Sequence, residues 1–215
     1  MHDSRTPTLR LPASDRRLQL IETALDCFSR RGFGGTTTKE IAAAAGVTEA
    51  IIFRHFPTKH DLYNAVIDHH HTAGNITECM AQCKCCMDCN DDEGLVRTIV
   101  EKILESHRRD QRGHRVLLFA ALEGHETGLA HARQLSVPIF EMLCQYLTRR
   151  QKEGALREGN PGAIVAAVAG MTTHYANMTQ MFGFPTTVSD RQIADSFVAI
   201  VMHGIQENPQ TQRAQ

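Results

Sequence analysis

The sequence has no tryptophan, and aromatic residues make up only 6% of its 215 residues. Sheet proteins draw on aromatic and β-branched side chains, so this composition suits a β-sandwich poorly. A helical core of Ala, Leu, Ile, Val and Met suits it well. An excess of charge is missing too: 23 Lys/Arg stand against 24 Asp/Glu, net −1. That excludes a chain-wide polycation, so any nucleic acid must meet a local patch. Long apolar runs are also lacking. The charge-free stretch 159–189 is apolar without interruption only over 163–171. A membrane span needs about 20 mostly apolar residues. A buried or interfacial helix is therefore expected there, and no membrane partner. The opening residues, MHDSRTPTLRLPASDRR, have no apolar core of the secretory kind. A cytoplasmic chain with reduced thiols is the expectation. Its seven cysteines, five of them within 79–89, are too crowded for a disulfide framework.

What is present is helical punctuation. Residues 1–14, rich in Thr, Pro and Ser, read as a disordered arm. From Asp15, capped by Ser14 or Asp15 itself, Leu18, Ile21, Leu25 and Phe28 recur at helical steps until Gly32. Thr36, Thr37 and Thr38 offer caps for a helix over 39–45, and Thr48 caps another over 49–55. Pro57 and Thr58 introduce a fourth from Lys59, running on through His69, His70 and His71. Further helices are expected at 95–109, 115–126, 137–153, 161–182 and 190–206. Gly113, Gly128, Gly154 and a helix-starting Pro138 fall among the breaks. The fold class is thus all-α. A compact three-helix unit spans 15–62, and a larger helical domain spans 63–215. Residues 1–63 carry nine Lys/Arg against seven Asp/Glu, net +2, leaving −3 for the remainder. The small unit is the one suited to phosphates.

The most informative stretch is 37–56, TTKEIAAAAGVTEAIIFRHF. Ile41, Ala42 and Ala45 face inward, Gly46 makes the tight turn, Val47 plugs the angle, and Ile52 buries the second helix. Short alanines let the helices cross closely. This is the helix-turn-helix arrangement, whose second helix enters the major groove. Thr48, Glu49 and Ala50, with Phe53 and Arg54 one turn on, are placed to reach base edges. Glu accepts from cytosine, Arg forks onto guanine, and Ala touches a thymine methyl. Thr37, Thr38, Lys39, His55 and Lys59 flank them as phosphate contacts.

At these residues the chain resembles the TetR family of bacterial transcriptional regulators. The family pattern falls on Thr38, Ile41, Ala42, Ala45, Gly46, Val47, Thr48, Ala50, Ile52, Phe53, His55, Phe56, Thr58, Lys59 and Leu62. The resemblance covers roughly residues 15–65. Ala50 stands where the family commonly has Gly. Phe53 stands where it commonly has Tyr, so a phosphate-binding hydroxyl is missing and packing or methyl contact is expected instead. The resemblance implies a homodimer on palindromic double-stranded DNA, a repressor released by a small-molecule inducer of unknown identity, and no enzymatic activity.

The sequence allows such a dimer. The segment 161–182 is rich in small residues and must be covered on more than one side, and 190–206 completes a helix pair. Pocket candidates are Phe119, Glu123, Met142, Tyr146, His174, Tyr175, Met178 and Met181, with His174 read as a core histidine. No cofactor is required. Cys79, Cys83, Cys85, Cys86 and Cys89, spaced C-x3-C-x-C-C-x2-C, are candidate ligands for zinc or another soft metal, or a thiol redox sensor. No Ser/His/Asp order, phosphate loop or HExxH motif points to an enzyme.

Overall fold

A computed structural model describes residues 12–73 and 76–205. Among these, ten α-helices follow one another: α1 (Ala13–Arg31), α2 (Thr38–Ala45), α3 (Glu49–His55), α4 (Lys59–Ala73), α5 (Ile76–Asp88), α6 (Asp92–Arg109), α7 (Arg112–Leu122), α8 (Glu126–Lys152), α9 (Pro161–Ala176) and α10 (Asp190–Ile205). A π-helical turn, Asn177–Met181, extends α9. No strand occurs among the described residues. Residues 1–11 of the expected arm, and Gln206 of the last expected helix, lie outside them.

Two hydrophobic cores hold the chain together. The first joins Leu20, Leu25 and Phe28 of α1 to Ile41, Ile52, Phe56, Leu62, Tyr63 and Val66. Each such fully buried side chain contributes about 1.5–3 kcal/mol. This core runs past residue 62 along α4 and takes in Val116 and Ala120 of α7, so the small unit is docked directly on the body. The second gathers Cys83, Met87, Leu95, Val100, Tyr146, Leu147, Val168, Ala194 and Val198.

Several expected boundaries are corrected. The first helix begins at Ala13 after Pro12, with no side-chain cap, and Ser14 Oγ instead donates to Asp15. The cap of α2 is Thr37. Its hydroxyl accepts from Glu40 N (3.2 Å) while the Glu40 carboxylate accepts from Thr37 N (2.8 Å), a reciprocal box worth about 1 kcal/mol. Pro138 does not start a helix but lies inside α8. It and Gln134, four residues before it, are exposed, so water reaches the carbonyl that proline leaves without a donor.

Gly113 and Gly128 are not breaks either: both are buried within helices. A Cβ on Gly113 would stand 2.0 Å from ring atoms of His70, and one on Gly128 would stand 2.7 Å from Cε1 of Tyr63. These glycines allow α7 and α8 to approach α4.

Candidate nucleic-acid interface

The turn between α2 and α3 is closed by backbone bonds. Gly46, at φ 67° and ψ 33°, donates to Ala43 O (3.2 Å), and Val47 N donates to Ala42 O (2.9 Å). This C-terminal closure permits the sharp change of direction. Ile52 anchors α3 with no exposed surface. The opposite face carries Thr48, Ala50, Phe53 and Arg54, all exposed, Phe53 at 45%. Phe53 thus stands beside Arg54 on the open side of α3.

The remaining sequence-derived candidates are placed differently. Glu49 is half-buried, and its carboxylate accepts from the Thr38 hydroxyl at 2.6 Å, so both arrive at this surface with a partner. Thr37 spends its hydroxyl on the capping box, and Lys39 is exposed beside it. His55 is half-buried. Burial, then Arg54, Arg17 and Arg16, hold its imidazole below the ordinary range, so it is neutral at pH 7. Lys59 turns inward: its Nζ donates to Phe33 O at 2.5 Å and lies 4.1 Å from the Phe33 ring centroid. Burial lowers its pKa.

Sequence reasoning missed Arg16 and Arg17. The Arg17 guanidinium stands 4.8 Å from the Phe56 ring centroid. Arg16 donates to Gln19 Oε1 (2.5 Å), and Gln19 Nε2 donates to Ala45 O (3.3 Å), tying the start of α1 to the end of α2. The dipeptide was visible, but nothing local showed that it would end beside α3.

The eight pocket candidates fall in three places. Phe119 and Glu123 lie at the junction between small unit and body, against Gly32. Met142 and Tyr146 belong to the second core, where the Tyr146 hydroxyl donates to Asp92 Oδ1 (2.6 Å) and Arg150 pairs with Asp92 (2.8 Å). His174 and Tyr175 lie in the last turn of α9, and Met178 and Met181 in the π-helical turn that follows it. His174 is exposed there, contrary to the core reading, because it lies on the outer face of α9. A cavity of about 200 Å³ opens elsewhere, between α1, α4 and α6, lined by Glu22, Leu25, His69, His70, Ser106, Arg109 and Asp110.

The cysteine run is helical, and the helix divides it. Cys83 is buried and Cys79 and Cys86 half-buried against α6, whereas Cys85 and Cys89 are exposed; all are free thiols. A hydrogen bond with Cys83 lowers the Cys79 pKa to about 7, and the same pairing pushes Cys83 up. Among the described residues, no group of three or more His, Cys, Asp or Glu is arranged to hold a metal ion. The five sulfurs, split between two faces, do not fit the single soft-metal site that their spacing suggested.

Taken together, α1 to α4 define a helix-turn-helix protein with its second helix open to solvent, mounted on a helical body. Residues 20–66, the helix-turn-helix unit, match the family described as bacterial regulatory proteins, tetR family. The chain is 32% identical over 108 residues to the transcriptional activator FasR of Mycolicibacterium smegmatis, covering 50% of this chain and 48% of that one. It is 30% identical over 132 residues to the transcriptional repressor Rv3405c of Mycobacterium tuberculosis, covering 57% and 60% respectively. The chain thus spans about half the length of the curated relatives it matches. The crystal structure of AibR in complex with isovaleryl coenzyme A and operator DNA shares the fold. Its TM-score is 0.64 at 22% identity, covering 86% of this chain and 97% of that one. No helix among the described residues is long and apolar enough to cross a membrane.

Proposed function

We propose that the chain is a cytoplasmic transcriptional regulator, a repressor, that reads a palindromic operator as a homodimer and releases it when a small molecule binds the body. The observation that carries the reading is the open face of α3. Thr48, Ala50, Phe53 and Arg54 stand in solvent on a base fixed by fully buried Ile52, with Arg16 and Arg17 beside them. In this reading Arg54 and Ala50 meet base edges, Glu49 joins them on leaving Thr38, and Lys39, Arg16 and Arg17 hold phosphates. Lys59, turned onto Phe33, supports the unit from within. The repressor sign follows the description of Rv3405c, and the ligand follows that of AibR.

The dimer is supported by an uncovered stripe. Ala163, Ala167, Gly170 and His174 are exposed along α9, next to Ile200 of α10 at 63% exposure. A Cβ on Gly170 would meet nothing within 4 Å apart from the adjoining residues and the backbone of its own helix. Gly170→Arg is therefore expected to leave the folded chain intact while converting a dimer into monomers, read by sedimentation. Selection of DNA fragments by the wild-type chain tests the reading as a whole. The expected winners share an inverted repeat with half-sites about 34–36 Å apart. Their affinity should fall steeply with salt as phosphates release counterions. Winners with no common motif, bound equally at low and high salt, would overturn it.

A further inference from the structure

The loop from Gly32 to Thr37 carries the chain from α1 into α2, the helix that supports α3. Its backbone amides are held from the body by a carboxylate. The carboxylate of Glu123, which ends α7, accepts from Phe33 N at 2.9 Å and from Gly34 N at 3.2 and 3.3 Å. The Phe33 ring is enclosed at the same point. Lys59 Nζ lies 4.1 Å from its centroid, the His125 ring 4.1 Å, the His60 ring 4.7 Å and the Tyr63 ring 5.1 Å. Gly34 is three residues from Thr37, whose hydroxyl caps α2. Other contacts tie body to small unit, but at different elements. Arg115 donates to Ser29 O and Arg112 pairs with Glu22, both on α1, and His131 pairs with Asp68 on α4. Glu123 holds the segment that feeds the reading helices.

We propose that Glu123 is a positioning residue for operator recognition: its grip on the Phe33 and Gly34 amides fixes the angle at which the body presents α2 and α3. The proposal rests on the DNA-reading function above. Two reading units on one dimer must stand at a set separation to fit both half-sites, and a unit free to rock pays that ordering on binding. It also tolerates wrong separations, so loosening the grip should cost spacing selectivity more than contact.

The test measures affinity for the selected palindrome and for versions with the half-sites one base pair closer and one further apart. The proteins are full-length wild type, Glu123→Ala and Glu123→Gln. Since Glu123 is exposed, both variants should fold, with melting temperatures within about 4 °C of the wild type. Glu123→Ala should lower the preference for native spacing about five-fold, the loss of one solvent-screened charge-assisted contact. Glu123→Gln, whose amide oxygen still accepts from one N–H, should fall between. Hydrogen exchange at Phe33 and Gly34 should quicken in the same order. A wild type that selects no palindrome ends the DNA-reading function and this role with it. A wild type that does, beside variants with its spacing preference unchanged, overturns the role of Glu123 alone.

Discussion

Between pH 7 and pH 5 the folded chain is expected to lose about 2 kcal/mol of stability through His114 alone. Three imidazoles meet beneath the small unit. The His107 and His114 rings stack at 3.6 Å, and the His70 ring meets His114 edge-on at 4.8 Å. Burial is the first cause lowering all three, and it holds His114 near 3 against the pull of Asp110. The groups around them are largely committed. His69 pairs with Glu22 at 2.6 Å, Asp110 is bound by Arg112, and His107 Nδ1 donates to Ile103 O. In the unfolded chain these histidines take up protons near pH 6.5, whereas in the folded chain each takes one up only at lower pH. Stability is thus fully present above pH 6.5 and falls by about 1.4 kcal/mol per pH unit for each group held below the ambient pH. For His114 the loss continues to about pH 3. For a chain of this size His114 alone should lower Tm by roughly 4–8 °C between pH 7 and 5, and His70 and His107 act in the same direction. Thermal melts from pH 7.5 to 5 on wild type and His114→Gln check this. The variant should show the shallower dependence, and parallel curves would show that the protons enter elsewhere.

These histidines also mark where the sequence stopped being informative. The helix-turn-helix was legible because its physics is local. Gly46 follows the last turn of α2, threonines precede both helices, and Ile41, Ala45 and Ile52 lie at the spacing that one core requires. Gly113, Gly128 and Pro138 read as breaks in the sequence because glycine and proline usually are. Their real surroundings, the His70 ring, the Tyr63 ring and open solvent, come from parts of the chain far away or from no neighbour at all. The pocket candidates failed to gather for a related reason. Helical spacing assigns Glu123 or His174 to a face, but which element lies opposite is a property of tertiary packing. For Glu123 that element is the loop before α2. The cysteines show the limit of spacing as a signal. C-x2-C in a loop directs two sulfurs at one point, whereas a regular helix turns Cys83 inward and Cys85 outward.

Removing the guanidinium of Arg54 and that of Arg17 should weaken DNA binding in two distinguishable ways. Both lie near half-buried His55, and both repel its protonation. Arg54 projects from α3 itself, and Phe53 and Ala50 stand exposed on the same helix, so its fork can lie along base edges. Arg17 comes from α1 and lies over the Phe56 ring, which in the proposed docking turns it to the sugar–phosphate wall rather than to the bases. A bidentate base contact is worth about 1–3 kcal/mol in each half-site, so Arg54→Ala should cost at least about thirtyfold in affinity for the selected operator. It should also flatten the preference at one base position in each half-site while leaving the salt dependence nearly unchanged. Arg17→Ala, which removes the guanidinium from both subunits of the dimer, should weaken all sequences alike and reduce the slope of log affinity against log salt by about two. Titrations of both variants against the operator, a scrambled duplex and single-base substitutions at several salt concentrations separate the two. Should Arg54→Ala lose affinity uniformly and Arg17→Ala lose it at one position, α3 would not be the element in the groove, and the orientation inferred from its open face would be reversed.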